Sequence, residues 1–177
     1  MSDKETLSPL QQQYVDIFEE HMAAEFEQKS IHDTMATMDN NPYVINIPTL
    51  RGGDNYHDVR EFYEKEFIGH FPDDMKIEVI SKSFNTDLLV TELVMSLSHD
   101  QEIPWLLPNV APTNKKIAFF TIVIVIVNFK DGKVASERIY WDQASVLAQV
   151  GLIDEEKLPV NGQGCVHKLL ELVKSRA

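Results

Sequence analysis

Two side chains one helical turn apart, His21 and Glu25, carry the first chemistry that the sequence offers. They fall in a stretch where Tyr14, Ile17, Phe18 and Met22 recur at helical spacing, so the pair shares the apolar stripe rather than the solvated face. Apolar surroundings raise a carboxylate's pKa toward working pH, which suits Glu25 or His21 to move a proton. A His–Glu pair that satisfies only itself in a core has the same pattern. Two ligands one turn apart also begin a metal site, but no third follows at recognisable spacing, so no metal and no other cofactor is expected.

Two further groups could assist. Glu92 lies in TELVMSLSH on the face of Val90 and Val94, where a carboxylate needs a partner, and His99 ends that stretch beside a proline-rich loop. His99 is either a titrating group at a pocket mouth or an exposed turn residue. Tyr43 and Asn46 could steady a carbonyl or enolate oxygen, or belong to the core. Trp105, in the loop HDQEIPWLLPNVAPTN, is a lid over a ligand or plain packing. Near the chain's last predicted strand, alternation puts Glu137, Ile139 and Trp141 on one face and Arg138, Tyr140 and Asp142 on the other, with either face able to line a site. Asp142 is a base or, because a short helix follows, its cap.

The elements that must position these groups centre on residues 117–151. Residues 117–129, IAFFTIVIVIVNF, are uncharged and rich in β-branched side chains, which predicts a long strand covered on both faces. As a helix these thirteen residues would rise only about 20 Å, short of the roughly 30 Å of a bilayer core. Lys130-Asp131-Gly132-Lys133 turns the chain back into a strand ending near Trp141, and Asp142 caps QASVLAQV before Gly151. Upstream, Ser8-Pro9-Leu10-Gln11 predicts a capping box, Ser30 and Asp33 a second one, and Asp39-Asn40-Asn41-Pro42 the end of the second helix. A short strand is expected over residues 43–48. Arg51-Gly52-Gly53-Asp54 then reads as a turn into a helix capped by Asp54 and buried through Tyr56, Val59, Tyr63 and Phe67. Strands are expected near residues 75–84 and 88–98, and a closing amphipathic helix over 163–175.

With 16 Lys plus Arg against 28 Asp plus Glu, the net charge of −12 repels phosphate backbones, which argues against nucleic acid as a partner. A single Cys165 supplies no disulfide, and the first residues carry no apolar signal core; the expected location is cytoplasmic, with no membrane contact. At 177 residues a single domain is expected, with a core over about 10–152 and a helical extension over about 153–177.

With these residues in place the chain resembles the SnoaL-like branch of the nuclear transport factor 2-like superfamily. The marks are MATM at 35–38, YVINIPTLRGG at 43–53, FYEKEFI at 62–68, LPNVAPTNKK at 107–116 and DGKVASERIYWDQASVLAQVGL at 131–152. The resemblance implies an α+β, cystatin-like fold: a cone-shaped, curved mixed sheet whose N-terminal helices close an apolar pocket. It also implies a small apolar ligand and a homodimer packed through the sheets. Relatives include polyketide cyclases and ketosteroid isomerases, in which a pocket Asp or His moves a proton beside a carbonyl without a cofactor. Cyclase-type members carry a His-Trp-Asp-like run in the last strand; here residues 136–139 read Ser-Glu-Arg-Ile, and Asp142 is the retained acid. No nucleophile elbow surrounds Cys165, so hydrolysis through a nucleophile is not expected. The expected function is therefore binding, with isomerisation or cyclisation, of a carbonyl or carboxylate compound. The alternative is a non-catalytic interaction module whose interior is filled by its own side chains.

Overall fold

The computed structural model describes residues 7–114 and 119–176, and the side chains of these except 119–125. The chain opens as the sequence requires. Ser8 accepts from Gln11 N while the Gln11 side chain accepts from Ser8 N, and Pro9 begins α1, Pro9–Phe26. Tyr14, Phe18, His21, Ala24 and Glu25 form its buried stripe. Ser30 then caps α2, Ile31–Thr37, by accepting from Asp33 N. Here the structure departs from expectation: residues 39–42 do not end the helix as a turn but lie within strand β1, Met38–Asn46, which begins where α2 stops.

Arg51–Gly53 is not a turn either. It forms a short edge strand, β2, antiparallel to β1. Asn55, rather than Asp54, caps α3, Tyr56–Phe62, because its side-chain oxygen accepts from both His57 N and Asp58 N. The helix continues as a π-helical turn, Tyr63–Phe67, closed by Ile68 N donating to Tyr63 O. Strands β3, Lys76–Phe84, and β4, Leu88–Leu97, follow, then β5, Phe119–Lys130, and β6, Lys133–Trp141. Asp131 and Gly132 both take positive φ, 51° and 74°, in the β5–β6 turn. Asp142 caps α4, Gln143–Gln149, and α5, Gly164–Lys174, closes the chain. The first two residues of the predicted 117–129 strand, and the covering of its side chains at 119–125, lie outside what is described.

The six strands form one mixed sheet in the order β2-β1-β6-β5-β4-β3, with β1 parallel to β6 and every other pair antiparallel. This corrects the cone expected from the sequence. The sheet is open: β2 and β3 are its two edges and do not pair with each other, so it neither curls into a cone nor closes a pocket by itself. The physical reason is at the β2 end. That strand is three residues long and pressed between β1 and α3, where it cannot recruit β3 across the sheet. Alternation places Leu89, Thr91, Leu93, Met95 and Leu97 of β4 on the buried inward face. Tyr14 of α1 stacks on Phe129 of β5 at 4.4 Å, fixing the first helix over the sheet.

The β2 packing leaves no room for a side chain. A Cβ on Gly53 would lie 2.3 Å from Val59 N and 2.4 Å from Asp58 C, and one on Gly52, at φ 146°, 1.9 Å from Val44 O. Backbone cannot yield as a side chain does. Gly53→Ala should therefore destabilise by more than the ~1–3 kcal/mol of ordinary overpacking, read as the urea unfolding midpoint; an unchanged midpoint would contradict this packing.

Candidate functional site

The helix stripe and the last strand meet at one buried cluster. His21 is fully buried, and Glu25, Tyr63, Thr37 and Glu137 beside it are at most 5% exposed. Four elements converge here: α1 supplies His21 and Glu25, α2 Thr37, the π turn Tyr63 and β6 Glu137. His21 Nε2 lies 3.1 Å from Glu25 Oε1 and 3.5 Å from Glu137 Oε2. Tyr63 donates its hydroxyl to Glu137 Oε2 at 3.2 Å, and that hydroxyl is 3.4 Å from His21 Nε2.

The other ring nitrogen decides the tautomer. Thr37 Oγ1 donates to Thr34 O at 2.6 Å, so its hydrogen is committed, and at 2.6 Å from His21 Nδ1 it must accept. Nδ1 therefore holds a proton in every charge state, and Nε2, facing both carboxylates, is the nitrogen that titrates. Burial alone would lower the imidazole pKa; the Glu25 and Glu137 carboxylates outweigh it and hold it up at about 10. Burial raises the Glu25 pKa, with His21 opposing the rise. Burial also pushes the Tyr63 phenol well above its usual range, so it serves as a donor. Glu25 Oε1 accepts no hydrogen bond of good geometry, and its 3.1 Å contact with the ring acts chiefly as an ion pair.

Glu25 and Glu137 also line a cavity of about 50 Å³ between the helices and the inward face of the sheet. Its remaining wall is mostly apolar, including Phe26, Phe67, Leu93, Met95 and Trp105. Phe67 packs edge-on against Trp105 at 5.5 Å, and Trp105 against Trp141 at 6.1 Å. The Trp105 indole N–H is buried and unpartnered. Its loop is packed down: Ile103, Trp105, Leu106 and Leu107 are buried, and Thr49 Oγ1 and Gln143 Nε2 donate to the carbonyls of Trp105 and Leu106.

The other candidates from the sequence separate around this cavity. Asn46 lines it, donating to Arg51 O at 3.2 Å, but Tyr43 is on the opposite face of β1, where its hydroxyl accepts from Arg138 at 2.7 Å. On β6 the inward face is that of Glu137 and Ile139; Tyr140 is over a third exposed. Trp141 donates its indole N–H to Gln143 at 2.6 Å. Asp142 spends its carboxylate on the α4 cap, accepting from Ala144 N, Ser145 N and the Ser145 hydroxyl. Glu92 accepts from Ser81 on the face of β4 away from the cavity. His99 is buried rather than exposed, its Nδ1 accepting from Thr113 N at 3.4 Å and its Nε2 unpartnered, but it does not line the cavity.

Glu137, Tyr63 and Thr37 were not singled out as site residues by the sequence. The signal for Glu137 was present, because strand alternation already placed it with Ile139 and Trp141. Glu137 is also the third ligand that helical spacing could not supply: among the described residues, the donor atoms of His21, Glu25 and Glu137 lie within 4.8 Å of one another, a set able to hold a metal ion.

His21 links the cluster to stability. Its folded pKa lies above its unfolded value of 6.5, so the contribution of its proton is complete below pH 6.5 and is lost as pH rises through about 10. The raised Glu25 pKa acts in the same sense, its contribution declining above the ordinary carboxylate value of 4.5. The urea midpoint should fall from neutral pH to about pH 10, and His21→Gln should flatten that fall. An identical slope in the variant would contradict the assignment.

No protein-family model and no curated protein matches the chain in sequence. Solved structures match it in fold. A candidate SnoaL-like polyketide cyclase from Jannaschia sp. CCS1 superposes with a TM-score of 0.64 at 14% identity, over 85% of this chain and 99% of that one. AclR, a candidate hydroxylase from Streptomyces galilaeus, gives 0.61 at 15% identity over 93% and 98% of the two chains. A candidate ketosteroid isomerase from Kribbella flavida gives 0.51 at 11% identity over 74% and 78%. The chain thus has the α+β fold of the nuclear transport factor 2-like superfamily, with a mixed sheet and helices packed on it.

Proposed function

We propose that this is a SnoaL-like protein that binds a small, largely apolar carbonyl or carboxylate compound and isomerises or cyclises it by cofactor-free acid/base chemistry. The observation that carries the reading is the juxtaposition of a buried His–Glu–Glu–Tyr cluster with an apolar cavity. A proton-transfer group works best where water is scarce, and Glu25 is buried, with burial raising its pKa above the ordinary carboxylate value. Glu25 is the base: it takes a proton from the carbon next to the carbonyl, the C–H electron pair moves into the new C=C bond, and the carbonyl π pair moves onto oxygen. The resulting enolate accepts from the Trp105 indole N–H, the cavity-lining donor left without a partner. His21 holds Glu25 ready as a carboxylate, and Tyr63 with Thr37 orients Glu137 and His21. Where a C=C bond adjoins that carbon, return of the proton from Glu25 to its far end, as the oxygen's electron pair re-forms the C=O bond, completes an isomerisation. Attack of the enolate carbon on a second carbonyl of the same molecule re-forms the first C=O and opens the second to an alkoxide, which takes the proton back from Glu25 to complete a cyclisation.

The relatives named as candidate cyclase and isomerase are consistent with this chemistry. The small size of the cavity favours the other reading, an interaction module filled by its own side chains, since ligand pockets run to about 300–1,000 Å³. Deuterium exchange separates the two. Ketones that raise the thermal midpoint are incubated with the protein in deuterated water, and label at the α-carbon is followed by NMR. Wild type should exchange, and Glu25→Gln should slow exchange by about 10²–10⁴-fold while keeping its fold. Equal exchange in the variant would remove Glu25 as the base, and no exchange with any ketone that binds would favour the module.

A further inference from the structure

Outside the cluster's cavity, between α1 and the β3–β4 edge of the sheet, runs a groove of about 430 Å³. Its walls include Phe18, Met22 and Phe26 from the helix and Ile77, Val79 and Leu93 from the strands. Met22, Phe26, Ile77 and Leu93 line both spaces, so a single layer of side chains separates groove from cavity. At the rim, Lys82 of β3 reaches across to Glu19 of α1, with Nζ and Oε1 3.7 Å apart. The groove thus has an apolar floor, a charged lip and the proton-transfer cluster behind it.

We infer that the ligand is a neutral, straight-chain carbonyl compound that lays its alkyl chain in this groove and passes only its carbonyl head between Met22, Phe26, Ile77 and Leu93 into the inner cavity. The inference rests on the proposed proton-transfer reading and names its substrate class. Three observations select that class. The inner cavity, at about 50 Å³, is far below the roughly 300–1,000 Å³ of a ligand pocket, so it takes a head group and not a fused ring system. The groove supplies the missing volume, and its apolar wall suits methylenes. The cluster already sets two carboxylates against one imidazole, so a ligand carboxylate would bring a further negative charge into a buried site, whereas a carbonyl oxygen finds the unpartnered Trp105 N–H.

The test is a titration of the full chain with homologous methyl ketones of increasing length, the fatty acids of matching length at neutral pH, and a four-ring ketosteroid. Affinity for the ketones should rise about fourfold per added methylene until the groove is full. The fatty acids should bind at least about tenfold more weakly, and the steroid should not bind. Val79→Trp and Ala23→Trp, which narrow the groove from its strand and helix sides, should each flatten the chain-length series without changing the thermal midpoint; Val79 is half exposed, so its variant folds readily. A flat series in wild type, or fatty acids or steroid binding more tightly than ketones, overturns the inference. Loss of α-proton exchange in Glu25→Gln with the series intact supports both readings. Exchange that depends on Glu25 alongside a flat series overturns the groove assignment alone.

Discussion

Burying two carboxylates with one imidazole is the constraint around which this fold is built. None of the three groups can leave water without the others, because an isolated buried charge costs several kcal/mol even after relaxation. The fold meets that cost by bringing four elements to one point. The α1 stripe offers His21 and Glu25, β6 turns Glu137 inward, and the π turn brings the Tyr63 hydroxyl between Glu137 and His21. Thr37, at the end of α2, fixes the ring by accepting from Nδ1. Widening the last turn of α3 into a π turn is an irregularity of the kind often found at functional sites.

The remainder of the architecture isolates this cluster from water. Aromatic rings from Phe26, Phe67, Phe71 and Trp105 pack around the cavity, and the loop that carries Trp105 is tied down by donors from Thr49 and Gln143. Because the sheet is open, it supplies one wall and not an enclosure. Enclosure comes from helix α1 and the Trp105 loop, which is why the space behind α1 divides into a small inner cavity and a larger groove toward the β3 edge.

Local chemistry was legible in the sequence wherever a neighbour within a few residues decides the outcome. The Ser8 capping box, the Asp131-Gly132 turn and the Asp142 cap all form as their residue types dictate. The burial of His21 with Glu25 also followed from helical period alone. Long-range geometry was not legible. No local rule pairs Glu25 with Glu137, more than a hundred residues away, or says that a parallel β1–β6 pairing selects the Asn46 face of β1 and turns Tyr43 outward. The cone expected from family resemblance failed for a related reason: sheet closure depends on how the two edge strands lie, and a three-residue β2 carries almost no sequence signal. Asn55 displaced Asp54 as a cap because two good capping residues stood side by side, and the backbone chose the one reaching both His57 N and Asp58 N.

The central claim is that His21 is a cation held between two buried carboxylates, with its Nδ1 proton fixed on Thr37. Nitrogen NMR of the imidazole across pH tests it directly, because the shifts of Nδ1 and Nε2 report each nitrogen's protonation separately. The account predicts both nitrogens protonated at neutral pH, with Nε2 alone losing its proton near pH 10. A ring that titrates near the ordinary value of 6.5, or that loses its proton from Nδ1, would contradict it.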